Sequence, residues 1–385
     1  MSHKFVLLGS GRQAVAAGYD FARFGDASEI VMADIDEAVA EAAALKINRL
    51  AGRAVARGQR LDIRDTAAVG RLLEGASACV SAVHYTYNVA VTRQAIASRV
   101  HMTDFGGNTA VVREQLGLDE QARRAGVTVV PDCGMGPGLN VSLAMHVMSR
   151  VEKPRQVRIW DGGLPQDPEP PWNFALTFAV AGLTNEYDGV ATFIREGRLT
   201  EVPCFSDLEE LEFPEPVGRL EAFVTSGGLS TAPWTLLGRL ERLENKTLRY
   251  PGHAARFKAF SDLGLLDQRP IKVGGIEVAP RDVFHVLLEA RLGMSEVKDV
   301  CVMRVTCTGE AGGRPAAQTV QLIDRYDPAT GFMAMQRLTG WHASIMAIAA
   351  CQGRVRRGVV SVENALPGSE VVADARKRGI EIVDL

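Results

Sequence analysis

The first residues able to do chemistry lie in "KFVLLGSGRQA", where an apolar run breaks at Gly9 and Gly11 and a small-residue helix pattern follows. Gly9, Gly11 and Ala14 occupy the three special places of G-x-G-x-x-G/A. There the first glycine permits a tight strand-to-helix turn, the second lets backbone approach a diphosphate, and the third needs only to be small. Ser10, Arg12 and Gln13 fill the positions between and after, at a helix start whose free N–H groups and positive dipole end attract phosphate. The next apolar run, "EIVMAD", ends in Asp34. A carboxylate at that distance accepts hydrogen bonds from ribose hydroxyls and repels a 2′-phosphate, so the two features together predict NAD rather than NADP. Ser81 and Ala82 of "CVSAVHY" bring small side chains to a strand end of the kind that lines a coenzyme crevice, although Ala82 is equally explained by helix packing. Asp62 of "LDI" either approaches an adenine or caps the helix that starts near Asp65 and Thr66.

A second group of polar residues suits a ligand beside a nicotinamide. Asp104 in "MTDFGGN" and Asp132 in "PDCG" stand at later strand ends, where each either faces the ligand or caps a turn. Glu186 and Tyr187 of "NEY", and Arg249, Tyr250 and His253 of "LRYPGH", cluster beside turn residues, and "TSGGLSTAPW" adds the hydroxyls of Thr225 and Ser226. Glu186 would meet a basic ligand end or remain a solvated loop carboxylate; Arg249 would bind a carboxylate bidentately. His253 is either a proton shuttle or a helix cap after the Pro-Gly turn. Asp104, Glu186 and His253 are therefore the candidate proton-transfer groups, with Tyr187, Thr225, Ser226, Arg249 and Tyr250 as substrate contacts. Oxidising an amine requires such a base. An alkyl ammonium has a pKa of about 10.4, and its nitrogen must be neutral when hydride leaves the adjacent carbon.

These residues need a scaffold, and the chain supplies its pattern. Short runs apolar on both faces ("KFVLLG", "EIVMAD", "QRLDI", "ACVSAV", "VHMTDF", "VTVVPD") alternate with helix patterns up to about residue 134. That alternation predicts an α/β fold with a doubly wound parallel sheet of the Rossmann type, residues 1–134. Residues 135–334 mix strand-like pieces with helices ("WTLLGRLERL", "HAARFKAFSDLG", "RDVFHVLLEARLG"), and "VCVMRVTCTG" with "QTVQLIDRY" reads as an antiparallel hairpin, predicting an inserted α+β domain. Residues 335–385 return as a buried helix and an apolar strand that complete the first domain. The 385 residues carry a net charge of −3 with acids and bases mixed, which excludes the basic field of a nucleic-acid or membrane-surface binder and points to a small-molecule amino acid or amine. Six scattered cysteines without a CxxC pair predict no metal site, and the absence of a leader pattern or spanning run predicts a cytoplasmic protein.

Four strings go further: "VPDCGMGPGLNV", "GGLPQDPEPPWNFALTFAVAGLTNEY", "TSGGLSTAPWTLLGRLERLENKTLRYPGH" and "RLTGWHASIMAIAA". Through them the chain resembles the saccharopine dehydrogenase family, most closely its lysine 6-dehydrogenase branch. The resemblance implies a Rossmann domain completed by C-terminal residues, an inserted substrate and dimerisation domain, and a homodimer or homotetramer. It also implies NAD-dependent oxidation of the lysine ε-amine to a semialdehyde that cyclises, with release of ammonia. Other branches of the family reduce imines that join an amine to an aldehyde. A non-catalytic NAD-binding regulator stays open from the residues alone.

Overall fold

The computed structural model describes residues 2–293 and 297–385. Its first half runs β1 (His3–Leu8), α1 (Arg12–Phe24), β2 (Ala27–Asp34), α2 (Glu37–Ala51), β3 (Ala56–Arg60), α3 (Thr66–Leu73), β4 (Ala78–Ser81), α4 (Asn88–Ala97), β5 (His101–Asp104), α5 (Thr109–Leu116), α6 (Asp119–Ala125) and β6 (Thr128–Val130). The strands pair in parallel in the order β6-β5-β4-β1-β2-β3, so each connection crosses over through a helix. Within β1, Phe5 and Leu7 pack under α1 while Val6 and Leu8 pack against α3 and α4. Burial on both faces contributes roughly 1.5–3 kcal/mol for each such side chain and explains why these strands show no polar alternation. The strand read from "QRLDI" ends earlier, at Arg60, because Asp62 turns the chain by accepting from the Arg64 amide.

The second half continues α7 (Leu139–Met148), β7 (Lys153–Pro165), α8 (Val180–Glu186), β8 (Val190–Arg195), β9 (Arg198–Pro203), β10 (Glu209–Glu212), β11 (Arg219–Phe223), α9 (Ala232–Thr235), β12 (Arg242–Arg249), α10 (His253–Asp262), β13 (Ile271–Val273), β14 (Ile276–Val278), α11 (Pro280–Leu292), β15 (Asp299–Ala311) and β16 (Arg314–Arg325). The C-terminal stretch adds α12 (Ala334–Cys351), β17 (Gly358–Val359), α13 (Val362–Ala365), α14 (Gly368–Lys377) and β18 (Ile382–Asp384). A mixed sheet runs β10-β11-β12-β7-β15-β16-β18, with β8 and β9 attached beside β12. The hairpin read from "VCVMRVTCTG" and "QTVQLIDRY" forms as β15 and β16, in register from Val300 opposite Arg325 to Ala311 opposite Arg314. The helix expected over "WTLLGRLERL" does not form beyond Thr235. Gly238 takes φ +79°, and from Arg242 the chain is drawn into β12 between β7 and β11.

At the C-terminus α12 lies along α1, and β17 adds a seventh parallel strand beside β6. The last strand departs from the expectation for residues 335–385. β18 leaves the first sheet and pairs antiparallel with β16, placing Ile382 opposite Leu322. Asp20 of α1 accepts from both Arg378 Nε (2.7 Å) and Ser344 Oγ (2.5 Å), joining α1, α12 and the end of α14 in one buried ion pair.

Helix α12 comes closest to α1 at Gly340, where a Cβ would stand 2.6 Å from the Gln13 carbonyl oxygen and 2.8 Å from the Ala17 nitrogen. Backbone cannot yield as a flexible side chain can. Gly340→Val should therefore lower unfolding free energy by about 3 kcal/mol, read as a reduced urea midpoint, and should weaken dinucleotide binding by displacing the first turn of α1.

Candidate active site

The site begins at the turn after β1. Gly9 has φ +97°, and a Cβ there would lie 2.6 Å from the Ala82 carbonyl oxygen, so only glycine brings this turn against the end of β4. Helix α1 starts after Gly11 with no side-chain cap, and a Cβ on Gly11 would meet nothing within 4 Å. First-turn N–H groups, open space above Gly11 and a buried Ser10 hydroxyl without a protein partner make a cradle that fits a diphosphate. Asp34 stands beside it: its carboxylate accepts from the Ser10 amide at 2.9 Å and the Asp36 amide at 3.2 Å. When bound there, a nicotinamide dinucleotide supplies the hydride acceptor or donor. Gln13 and Ala82 line the cavity that continues from this turn, whereas the Arg12 side chain faces a different cavity, shared with Lys46 and Gln336.

One expected coenzyme contact is corrected, and for Asp62 the helix-cap alternative is set aside. The Ser81 hydroxyl, buried, donates to Asn88 Oδ1 at 2.8 Å and points at α4 instead of the crevice. Asp62 is held by Arg64, which lowers its carboxyl to about 2, and α3 is capped by Asp65 accepting from the Ala68 amide.

From Gln13 and Ala82 a cavity of about 410 Å³ extends between the two sheets to Arg249. Strands β7 and β12 form its floor. Along β12 the side chains alternate as a pleated strand requires: Asn245, Thr247 and Arg249 line the cavity, while Glu244 and Lys246 turn to the opposite face and pair with Arg195 and Glu209. Asp161 of β7 lies opposite Thr247 and accepts from Asn245 Nδ2 at 2.8 Å. Thr225 closes the wall through a 2.6 Å hydroxyl contact with Thr247. Ser226 is tied to the end of α8, its amide donating to the Glu186 carbonyl at 2.8 Å and its hydroxyl to the Asn185 carbonyl at 2.9 Å.

Three carboxyls face this space: Asp132, Asp161 and Glu186. Burial pushes Glu186 up to about 7, with Arg249 opposing and Asp161 adding to the rise. Burial likewise raises Asp132 to about 7 and Asp161 to about 6, the latter against hydrogen bonds from Asn245 and Asn140. Arg249 is the one guanidinium lining the cavity among the described residues. Its Nε donates to the Tyr187 hydroxyl at 3.0 Å, and that hydroxyl lies 2.8 Å from His253 Nε2. Such a set can hold a carboxylate at one end of a ligand and an ammonium at the other, and can take up a proton near neutrality.

The geometry reassigns four expected residues. Asp104 does not reach the cavity. It is fully buried, and its oxygens accept from the amides of Gly106 (2.9 Å) and Asp132 (3.0 Å) and from Gln115 Nε2 (2.8 Å), so it fixes the loops after β5 and β6. Tyr187 stands behind Arg249 as a positioning residue. His253, buried and stacked on Phe257 at 4.1 Å, is held neutral by burial and by Arg249, which removes it from proton transfer with solvent or ligand. Tyr250 turns away to bond the Pro165 carbonyl at 3.2 Å. Glu186, Arg249, Thr225 and Ser226 are brought together as expected. Asp161, Asn245 and Thr247 were not singled out. Asp161 is a lone acid in the apolar run "VRIWDGG", and the polar positions 245, 247 and 249 alternate at strand spacing, but only "TLRYPG" reads as strand-like, and the stretch just before, up to residue 243, reads as helix. Among the described residues, no group of His, Cys, Asp and Glu is able to hold a metal, and no helix is long and apolar enough to cross a membrane.

Residues 5–130 match the model of the saccharopine dehydrogenase NADP binding domain, and residues 134–379 match that of the saccharopine dehydrogenase C-terminal domain. The chain belongs to the saccharopine dehydrogenase family. Relatives in that family include saccharopine dehydrogenase (NADP+, L-glutamate-forming) of Pyricularia oryzae, 25% identical over 215 residues that cover 54% of this chain and 47% of the relative. Mitochondrial alpha-aminoadipic semialdehyde synthase of Mus musculus is 23% identical over 207 residues, 51% of this chain and 22% of the relative. The matched region thus spans about half or less of those relatives' length. In fold, the chain is similar to apo saccharopine dehydrogenase (L-Glu forming) of Saccharomyces cerevisiae, with a TM-score of 0.79 and 19% identity over 100% of both chains. It is similar also to a homospermidine synthase of Legionella pneumophila in complex with NAD, with a TM-score of 0.66 and 13% identity over 100% of this chain and 91% of that one.

Because Asp104 receives three buried donors, Asp104→Ala should destabilise the fold by about 3 kcal/mol in urea unfolding. The loss traces to unsatisfied amides, so reduced stability should accompany any loss of turnover.

Proposed function

We propose that this protein is a nicotinamide-dinucleotide-dependent oxidoreductase acting on a carbon–nitrogen bond of a basic amino acid, with NAD as coenzyme and the ε-amine of L-lysine as substrate. The observation that carries this reading is the charge content of the cavity: one guanidinium, Arg249, against the carboxyls Asp132, Asp161 and Glu186. A ligand with one carboxylate and two amines matches that set. Saccharopine, which carries three carboxylates, would leave two of them facing acids. Three acidic side chains within four residues at the end of β2, Asp34, Asp36 and Glu37, support NAD over a coenzyme bearing a 2′-phosphate.

In this reading Arg249 orients the substrate carboxylate, while Asp161 and Glu186 hold its side-chain ammonium. The Glu186 carboxylate removes a proton from that ammonium to leave a neutral amine, whose adjacent carbon would give its hydride to an oxidised dinucleotide held in the cradle; Asp132, at the end nearer β4 and β5, activates water against the imine so formed. Hydrolysis then releases ammonia and an aldehyde. The second reading, an imine-linked reductase of the saccharopine type, draws on the names of the relatives and uses the same residues without release of ammonia.

Incubation with NAD, and in parallel NADP, and a panel of lysine, ornithine, diaminopimelate, polyamines and saccharopine distinguishes the readings. Lysine with NAD should give reduced coenzyme and ammonia in equal amounts. Coenzyme reduction by saccharopine without ammonia would establish the second reading, and tight coenzyme binding with no turnover of any amine would reject both. Glu186→Gln should lower kcat/KM by roughly 10²–10⁴-fold with dinucleotide affinity unchanged. Since Glu186 and Asp132 both act as carboxylates and burial raises both to about 7, wild-type oxidation should rise from pH 6 to pH 8, and this limb should be shallower in the variant, where Asp132 alone remains to titrate.

A further inference from the structure

A second cavity, of about 560 Å³, lies beyond the first and is the larger of the two. It follows the same face of β7, where Asp161 and Gly163 line the first cavity and Pro165 lines the second. A thin wall divides them. Met335 reaches over Gly163, where a Cβ would stand 2.7 Å from Met335 Cε, and Phe174 lines the second cavity while the Arg249 guanidinium lies 5.1 Å from its ring centroid. On α1 and α12 the division falls between sequence neighbours: Gln13 and Met335 face the first cavity, Arg12 and Gln336 the second. The two spaces are separate compartments, and the diphosphate cradle leads into the first.

Their linings call for opposite ligands. Where the first cavity sets three carboxyls against one guanidinium, the second sets four cations, Arg12, Lys46, Arg291 and Lys298, against two acids, Asp167 and Glu169. Its floor is apolar, made by the buried Phe174, Leu292, Val297 and Met333, with the half-buried rings of Trp172 and Tyr326 beside them. Lys46 shows what is missing. Its half-buried ammonium has the Phe332 ring at 4.6 Å and the Gly331 carbonyl at 3.5 Å as partners, and burial together with Arg49 lowers its pKa below the usual lysine value. An incoming anion would relieve that cost. Inorganic phosphate would meet the cations but leave the apolar floor wet, whereas an amine of the kind that suits the first cavity would be repelled. We propose that the second cavity is a binding site for a small organic anion, a carboxylate or phosphate carried on a flat apolar ring. The ring packs among Trp172, Phe174 and Tyr326, and the anionic group is met by Lys46, Arg291 and Lys298. Such a ligand occupies neither the dinucleotide cradle nor the amine site.

Titration calorimetry of the full chain saturated with NAD tests the proposal, with adenosine monophosphate as the phosphate probe and cinnamate as the carboxylate probe. At least one should bind at a single site per chain with a dissociation constant below about 1 mM, and its uncharged counterpart, adenosine or cinnamyl alcohol, should bind roughly tenfold more weakly or worse. Arg291→Glu and Lys298→Glu, both at exposed positions, should each weaken the charged probe by roughly tenfold or more, with NAD affinity and circular dichroism unchanged. Trp172→Ala should weaken it too, through the lost ring contact. Failure of both charged probes to bind below that concentration would overturn the proposal. So would binding that further NAD displaces, which would place the probe in the cradle, or binding indifferent to both Arg291→Glu and Lys298→Glu.

Discussion

The candidate site rests on burying unlike charges in one narrow space without letting them neutralise each other. Arg249 could collapse onto Glu186 or Asp161 as a closed ion pair, which would leave nothing for a ligand. It is kept from doing so by a donor–acceptor chain behind it: the guanidinium Nε is held by Tyr187, and Tyr187 by a neutral His253 wedged against Phe257. Asp161 is fixed from its own side by Asn245. The charged groups thus face one another across the cavity at the ends of short, stiff supports, and the low-dielectric surroundings that raise the carboxyls also strengthen their hold on a bound ammonium.

That arrangement depends on register more than on any single residue. On a pleated strand a slip of one position would send Asn245, Thr247 and Arg249 to the far face and bring Glu244 and Lys246 into the cavity. The opposite face resists the slip, because Glu244 sits among Arg158, Arg195 and Arg242, and Lys246 reaches Glu209. Ion pairs that contribute little to stability at a surface here fix which side of β12 holds the chemistry.

How much of this was legible in the sequence follows from the range of the interactions involved. The Rossmann half was readable because its strands are buried on both faces and its glycine turn answers to local sterics, as Gly9 shows. Glu186 and Arg249 were readable as unlike charges beside turns. Asp104 and His253 misled because a buried scaffold carboxylate and a buried imidazole have the same letters as catalytic ones; only their partners, Gln115 and two amides in one case and Tyr187 and Phe257 in the other, tell them apart. Asp161 went unnoticed because its significance lies in a strand far away in the chain. The "WTLLGRLERL" stretch has a helix composition, but its last two residues, Arg242 and Leu243, are taken up beside β7, and tertiary pairing overrode propensity.

The route of the last strand has a mechanical result. By returning to β16 after β17 has joined the first sheet, the chain is threaded through both halves, with covalent passes from β6 to β7, from β16 to α12 and from α14 to β18. With three tethers, any change in the relative position of the halves must be taken up in three stretches of chain at once, one of them the segment between β6 and α7 that carries Asp132 and walls the cavity.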